Sequence, residues 1–522
     1  MNFSQARVRL IQAGVVLAAA VLVAGCGNNY RPTVTPINPP GPASQPSSLA
    51  VVVSAPAAPF PGVATIIDYS GDTIMATAVL SANPNNGPTP TTFVEDAGGS
   101  SGYTVNSDGT ITYFPVSTQL QQKQVLYSTV PATAQLLNLF APSSGLWAAD
   151  LCTVDPTSAA CPWDSNPLTL NHSGADVFIG SPETYLRSIQ LAPTPVMIAG
   201  LGLGGLRYFG ISQGNSQGGN VASSMACNTL PYTGVPNGEA DGIETSSNTV
   251  SSQIALGKCP VYAIPSNDGK RLFVLNRGSD TVSVINVQDD TLDSCLPFIN
   301  TENGQLVTCH PTLPLSLNAV TNTGVTPPNG TAGMTTTAGP VYAEYNSATN
   351  QLVVANYDAG TISVIDATLD YWGNDGPTFG TTYTIPVGKN PASVTVLLDG
   401  SRAYVANQTD QTVSIVNLSS HTVKTVLPVS GHPRTVVNTQ NSTTGKVYVA
   451  SPDSNVLTII RTDQDIVDTV LSVVGNIVDV RVTSQNAVSG NNNSESRIPG
   501  YGQPCNVPGA AALASLAACQ AQ

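Results

Sequence analysis

The feature that most constrains this chain is a short strand pattern repeated four times in its second half. Three copies contain a run ending in Asn, at Asn276, Asn356 and Asn407, and a Thr-Val/Ile-Ser-Val/Ile run starts five residues later. The fourth copy begins at Lys446 and has Ser451 in place of Asn. Ile254 and Ile385 each open an Ile-x-x-Gly-Lys-x-Pro segment 22 residues before the Asn of their copy. An Asp-Gly pair also falls at the same offset in both of these copies, at 268–269 and 399–400.

The repeat has the size and chemistry of a blade-like sheet. Short Val/Ile/Tyr/Thr runs with alternating apolar positions predict strands, and Asp-Gly favours a tight hairpin turn between them. Each unit supplies about four strands in roughly 40–50 residues. One such sheet cannot bury both of its faces, so neighbouring units must pack around a common axis.

We therefore predict an all-β fold, a single β-propeller of four-stranded blades. Seven or eight blades fit the pattern, and the count favours eight. The strand Leu49–Ser54 is expected to complete the last unit, so that the two ends of the chain close the ring. The predicted units cover residues 57–106, 107–150, 172–216, 240–278, 279–357, 358–408, 409–452 and 453–484.

The repeat resembles a known family. Tyr404-Val-Ala-Asn407 and Tyr448-Val-Ala-Ser451, with the Thr-Val-Ser run between them, resemble the YVTN-type β-propeller repeats of surface-layer and other exported prokaryotic proteins. The resemblance is strong over 250–484 and weak over 57–216. It implies a fold similar to that of lactonase-like propellers, and it transfers no catalytic residue.

The N-terminus has the order of a bacterial lipoprotein signal. Arg7 and Arg9 precede an apolar run, which ends in Leu22-Val23-Ala24-Gly25-Cys26 and resembles a lipobox. We predict a signal peptide at 1–25 and lipidation of Cys26. Residues 26–48 are predicted to be a lipid-anchored Pro/Ser-rich tether, residues 49–484 the propeller, and residues 485–522 a flexible or short helical tail.

Cysteine usage agrees with export. Removing Cys26 from the nine cysteines leaves an even number, which suggests disulfides in an exported chain. Sequence order favours nearest neighbours, although eight cysteines allow 105 pairings. The predicted pairs are Cys152 with Cys161, Cys227 with Cys259, Cys295 with Cys309, and Cys505 with Cys519.

Composition narrows the function. Only 10% of the residues are charged and the formal net charge is −14, which disfavours binding to nucleic acid. There is no CxxC and there are only four His, so we expect no metal and no cofactor. Asp289, Asp290, Asp463 and Asp465 are expected to be solvated turn residues. Lys258, Lys389 and His432 occupy nearby places in three units and could form a modest basic rim.

The sequence is thus typical of a binding or scaffold module rather than an enzyme. The loops at 151–171, 213–240, 296–340 and 369–382 interrupt the repeat and are expected to select a protein or glycan partner. We expect a monomer in the bacterial cell envelope, anchored by lipid at the outer membrane or cell surface. A lactonase-like hydrolase with its site in the central pore and a structural surface-layer component are the alternatives.

Replacing Cys26 by Ser tests the anchor. Because the thiol is the acyl acceptor, Cys26→Ser should move the protein out of the membrane fraction as a soluble or uncleaved form. Labelling with a palmitate analogue, followed by fractionation, measures this. Unchanged labelling in the membrane fraction would contradict lipidation at Cys26.

Overall fold

The computed structural model describes residues 49–68, 72–81, 85, 87–107, 110–116, 125–127, 134–143, 145–152, 174–180, 183–201, 205–217, 227, 234–301, 304–315, 337–439 and 445–483. Within these ranges, all the named secondary-structure elements are β-strands. The segments predicted as signal peptide, tether and tail lie outside them.

The described strands form eight four-stranded blades, numbered here around the ring. The first three strands, which belong to blade 1, are β1 (Leu49–Ala55), β2 (Val63–Asp68) and β3 (Thr73–Val79). Blade 2 consists of β4 (Pro90–Glu95), β5 (Ser101–Asn106), β6 (Ile111–Pro115) and β7 (Val125–Tyr127). Blade 3 consists of β8 (Ala134–Phe140), β9 (Leu146–Cys152), β10 (Gly174–Gly180) and β11 (Glu183–Gln190). Blade 4 consists of β12 (Pro195–Gly200), β13 (Arg207–Ser212), β14 (Asn237–Glu244) and β15 (Thr249–Lys258).

The second half of the ring is as regular. Blade 5 consists of β16 (Pro260–Pro265), β17 (Arg271–Asn276), β18 (Thr281–Asn286) and a divided outer strand, β19 (Thr291–Leu292) with β22 (Thr312–Pro314). A separate hairpin, β20 (Phe298–Ile299) with β21 (Leu306–Val307), lies between the two halves. Blade 6 consists of β23 (Pro340–Asn346), β24 (Gln351–Asn356), β25 (Thr361–Asp366) and β26 (Thr382–Pro386). Blade 7 consists of β27 (Pro391–Val396), β28 (Arg402–Asn407), β29 (Thr412–Asn417) and β30 (Thr422–Pro428). Blade 8 consists of β31 (Thr435–Asn438), β32 (Lys446–Ala450), β33 (Val456–Arg461) and β34 (Ile466–Ser472), and β35 (Asn476–Val482) returns to blade 1.

The predicted all-β propeller with eight blades is confirmed, and so is closure by both ends of the chain. The number of strands that each end contributes to the closing blade differs from the prediction. Blade 1 has the order β3-β2-β1-β35, so the N-terminal part gives three strands and the C-terminal part gives one. The predicted units are also two strands out of phase with the blades, because a repeat in sequence does not show which strand lies innermost.

The innermost strands share a distinctive start. Five of them begin with proline and show a register shift before the residue two positions later. The free edge of a sheet tolerates proline, which has no N–H to donate, and the shift marks a bulge that bends the chain. Proline therefore marks the entrance to a new blade at Pro90, Pro195, Pro260, Pro340 and Pro391.

The two repeated sequence motifs contact each other. Asn407 donates from Nδ2 to Thr412 Oγ1 (3.1 Å) and Ser414 Oγ (2.8 Å), which braces the turn between β28 and β29. Its Oδ1 accepts the backbone N–H of Gly388, which precedes Pro391 by three residues. A Cβ at Gly388 would lie 2.5 Å from Asn407 Cγ, so this position needs glycine. The Gly and Asn motifs repeat together because each shapes the site of the other.

Strand direction gives the ring two distinct faces. The links between blades and the turns between second and third strands lie on one face, which we call the link face. The remaining turns lie on the opposite face, where β1 starts at Leu49 and β35 ends at Val482. We call this the terminal face, and Thr483 N donates there to Leu49 O (2.9 Å).

Ion pairs join successive blades at the terminal face. Four times, a basic first residue of a second strand meets an Asp of the next blade: Arg207 with Asp290, Arg271 with Asp375, Arg402 with Asp465, and Lys446 with Asp72. Asp465 also accepts hydrogen bonds from Tyr404 (2.5 Å) and Lys424 (2.6 Å). Burial raises the pKa of Asp465, but its hydrogen bonds lower the pKa further, so the net shift is downward. The expectation that Asp465 is a solvated turn residue was therefore wrong, because the neighbouring blade covers the turn.

The apolar core lies between the blades. Inner strands such as β16, β17 and β27 are buried along their whole length, whereas the outer strand β30 alternates exposed and half-buried residues. Apolar clusters join each blade to the next around the whole ring. Burial on both faces of most strands explains how a chain so poor in charge forms this fold.

Gly388→Ala tests the contact between the motifs. The new methyl group overlaps the braced Asn407 side chain, so we expect a loss of about 2 kcal/mol in the free energy of unfolding. Urea unfolding measures it. Gly98→Ala is the matched control, because its Cβ would meet nothing closer than Asp96 Oδ2 at 3.8 Å. Equal losses in the two variants would contradict the interpretation.

Candidate functional site

The central axis is lined by innermost strands whose free edges are bonded by side chains of neighbouring blades. Asn138 Oδ1 accepts the N–H of Ile198 (3.2 Å), and Glu344 Oε1 accepts that of Val396 (3.0 Å). Asn438 donates to Thr395 Oγ1 (2.6 Å) and to a backbone carbonyl of the same strand. The axis therefore contains polar side chains as a requirement of closing the ring.

Charged side chains lie at the axis between blades 1 and 2. Arg481 donates from Nε and Nη2 to Asp479 Oδ2 (3.2 and 2.9 Å) and from Nη2 to the Phe93 carbonyl (3.3 Å). Thr435 of blade 8 donates to Asp479 Oδ1 (2.7 Å). One ion pair thus joins three blades.

Side chains from the far side of the ring approach this ion pair. The rings of Tyr262 and Tyr342, from blades 5 and 6, lie 4.7 Å apart. Both interact electrostatically with the Arg481 guanidinium. Burial lowers the pKa of Arg481, while Asp479 and then the two tyrosines raise it, and the net shift is upward. Groups from opposite blades therefore interact electrostatically near the axis.

Glu95 is the most unusual residue of this group. It is fully buried on β4, and neither carboxyl oxygen has a hydrogen-bond partner among the described residues. Burial raises its pKa to about 8, although Arg481 opposes the shift. Glu95 therefore holds a proton at neutral pH and carries no charge.

The axial group contains a protonated acid, which is a feature of an active site, but it lacks exposure to solvent. A carboxylic acid that keeps its proton near neutral pH can serve as a general acid. However, Glu95, Asp479, Arg481, Tyr262 and Tyr342 are each at most 4% exposed. None of these five residues was predicted from the sequence. The charged residues within the apolar runs of β4 and β35 were the signal that could have indicated a buried polar group.

The link face presents a second candidate, built from insertions on adjacent blades. Segments 153–173, 213–236 and 315–339 leave and return at this face on blades 3, 4 and 5. The predicted loop 296–340 is in fact two insertions, because β22 divides it and pairs with β18. Its first part, 293–311, lies at the outer edge of blade 5, and the predicted loop 369–382 lies on the terminal face of blade 6.

The blade 4 insertion is fixed to the ring at both its base and its middle. At the base, Asn215 Nδ2 donates to Asn237 O (2.8 Å) and Ser216 donates to Glu239 Oε2 (2.8 Å). In the middle, Cys227 forms a disulfide with Cys259 on the link to blade 5. This pair and Cys295–Cys309 confirm two of the predicted disulfides. Cys26, Cys161, Cys505 and Cys519 lie outside the described residues, as does the side chain of Cys152.

Beside this insertion, buried polar side chains run across four blades. They directly follow the second strands, at Gln213, Arg277, Tyr357 and Gln408. Arg277 pairs with Asp358 (3.0 Å) and lies over the Tyr357 ring, and the Tyr357 hydroxyl donates to Gln408 Oε1 (3.0 Å). These contacts hold the side chains rigidly, and we call Gln213, Arg277, Tyr357 and Gln408 the polar collar of the link face.

The basic rim is weaker than its sequence suggested. Lys258, Lys389 and His432 do lie on the link face. His432 Nδ1 contacts Asp453 Oδ2 at 2.6 Å, and the backbone N–H of Lys389 donates to Asp410. Because acids flank two of the three, the rim offers little free positive charge.

The described residues contain neither a cluster of metal ligands nor a helix that could span a membrane. No group of three or more His, Cys, Asp or Glu side chains there could hold a metal ion. None of the described residues forms a helix long and apolar enough to cross a membrane.

Comparison with known proteins shows similarity in fold alone. No protein-family model and no curated protein matches the chain. It is similar to apo AztD from Citrobacter koseri, with a TM-score of 0.50 and 11% identity over 83% of this chain and 97% of that one. It is also similar to dihydro-heme d1 dehydrogenase NirN in complex with DHE (TM-score 0.50, 11% identity, 87% of this chain and 79% of that one). A putative 6-phosphogluconolactonase from Bacteroides fragilis NCTC 9343 has a TM-score of 0.48 and 14% identity over 85% of this chain and 99% of that one.

The pH dependence of stability tests the state of Glu95. Its carboxyl keeps a proton up to about pH 8 when folded but ionises above its usual value of 4.5 when exposed by unfolding. This group therefore lowers the free energy of unfolding as pH rises from 4.5 to 8. Glu95→Gln mimics the neutral acid, so its stability relative to wild type should rise across that window by up to about 5 kcal/mol.

Urea unfolding at a series of pH values makes the measurement. Asp289→Asn, at an exposed turn, is the control for replacing an acid by its amide at the surface. A Glu95→Gln curve that is parallel to wild type would show that Glu95 is charged in the folded protein.

Proposed function

We propose that this protein is a lipid-anchored binding module of the bacterial cell envelope, which holds a protein or glycan partner on the loops of its link face. The observation that carries the proposal is the grouping of long insertions on adjacent blades 3, 4 and 5 at one face. The ring is complete without them, so they are free to serve recognition.

Two features support a recognition role for this face. The Cys227–Cys259 disulfide and the hydrogen bonds of Asn215 and Ser216 fix the blade 4 insertion, and a fixed loop loses less entropy on binding. The collar beside it is buried and hydrogen-bonded, so it gives the loops of this face a rigid base. The YVTN-type repeat, the lipid at Cys26 and the outer-membrane or surface location belong to this same proposal.

Shortening the blade 4 insertion tests the proposal. Residues 218–233 are replaced by a short Gly-Ser linker in a Cys259→Ser background, which keeps the bonded base of the loop. We expect an unchanged melting temperature within a few degrees and at least a tenfold loss of the partner recovered from envelope extract or a glycan array. A Cys227→Ser/Cys259→Ser variant with the full loop is the control and should bind more weakly than wild type but more strongly than the shortened variant.

Partner recovery that is identical in all three proteins would overturn the role of this insertion. The hydrolase alternative has one observation in its favour, the protonated Glu95 beside Arg481. It requires a lactone-hydrolysis rate that survives purification and falls in Glu95→Gln. A rate at background in wild type removes that alternative.

A further inference from the structure

We propose that the outer corner of the terminal face at blades 5 and 6 inserts apolar side chains into the surface of a lipid bilayer. The inference uses the lipid anchor of the proposed function and does not depend on the link-face partner. It assigns a second membrane contact, made by the propeller itself.

Two neighbouring loops expose large apolar side chains at this corner. One is the hairpin closed by Cys295–Cys309, and the other follows β25 on blade 6. The exposed fractions are 88% for Leu296, 43% for Phe298, 64% for Ile299, 63% for Leu306, 90% for Tyr371 and 47% for Trp372. We call these six residues the apolar corner. Folded soluble proteins rarely leave such a group without a function.

The two loops are fixed in place by a buried polar cluster. Arg271 Nη2 donates to Gly373 O and Asp375 Oδ1, both at 3.1 Å, and also pairs with Asp293 (3.2 Å). His310, the residue after Cys309, contacts Asp375 Oδ2 through Nδ1 at 2.7 Å. The apolar corner is therefore presented by ordered loops, and its exposure is built into the fold.

Large exposed apolar side chains occur in turns or links of both faces. Among the described residues with large exposed apolar side chains, only Phe60 and Val474 lie in turns or links of the link face. The terminal face carries the blade 6 part of the apolar corner and also Leu206, which is 81% exposed in a turn of blade 4. What distinguishes the apolar corner is that six such side chains lie on two neighbouring loops.

The chain itself favours lipid as the occupant. The predicted lipid is on Cys26, and the residues that follow it join the propeller at Leu49, on the terminal face. The predicted lipid is thus connected to the propeller on its terminal face. The mixture of Trp and Tyr with Leu, Ile and Phe also suits the boundary between headgroups and acyl chains, where amphipathic rings are enriched.

The charge of the chain predicts which lipids bind. The formal net charge is −14, so attraction to anionic headgroups contributes nothing and apolar insertion must drive binding. Vesicles of phosphatidylcholine alone should therefore bind at least as well as vesicles that contain phosphatidylglycerol. High salt should not weaken binding to phosphatidylcholine.

Vesicle flotation tests the proposal with the mature chain from residue 26 carrying Cys26→Ser, which has no lipid of its own. We expect binding to phosphatidylcholine vesicles, and at least a tenfold loss in Leu296→Ser/Ile299→Ser/Tyr371→Ser. Val426→Ser/Val470→Ser/Val474→Ser is the matched control, since these exposed valines lie away from the corner, and it should bind like wild type. Brominated lipid should quench Trp372 fluorescence, and Trp372→Phe should remove that signal.

The result that overturns the proposal is an absence of vesicle binding by the parent chain, or equal binding by the two triple variants. Capture of a protein at the corner without vesicle binding also overturns it. None of these variants alters the blade 4 insertion, so failure here leaves the link-face proposal standing, and failure of link-face capture leaves this one standing.

Discussion

The structure depends on satisfying the free edges of eight innermost strands around one axis. Each of these strands pairs with a neighbour on one side only, and an unpaired backbone group buried at the axis is costly. Polar side chains of adjacent blades supply partners, as Asn138 does for Ile198 N and Glu344 does for Val396 N. The buried Asp479–Arg481 pair belongs to the same system, since it bonds to blades 8 and 2. Closing the ring therefore places polar and charged residues in the middle of an otherwise apolar core.

This arrangement explains why the fold could be predicted from sequence when the axial group could not. The Gly and Asn motifs repeat because Gly388 and Asn407 touch each other, and Gly257 lies as close to Asn276 in the other copy that has both motifs. The residues at the axis meet partners in other blades, so no spacing along the chain reveals them. Taken by itself, the segment Val478-Asp479-Val480-Arg481-Val482 has the alternation of a strand with one solvent-exposed face. In the ring, that polar side faces other buried polar groups.

At the terminal face, the environment of a turn carboxylate also depends on the neighbouring blade. An Asp in a hairpin turn is exposed when the hairpin stands alone, which is how Asp465 was interpreted. In the ring, Arg402 and Tyr404 of the preceding blade cover it and change both its exposure and its ionisation. The signal was a basic residue opening the second strand of one blade together with an Asp in a turn of the next. By contrast, the pairings Cys227–Cys259 and Cys295–Cys309 were predictable, because each joins a cysteine to the next one along the chain.

The way the ring closes also distinguishes its two faces by the segments that emerge there. Because β35 is the innermost strand of blade 1 and β1 lies beside it, both ends of the propeller emerge at the terminal face. Insertions between second and third strands, such as 213–236, emerge at the link face, on the opposite side of the ring. A propeller closed by three N-terminal strands and one C-terminal strand thus has its two ends and these insertions on opposite faces, through chain topology alone.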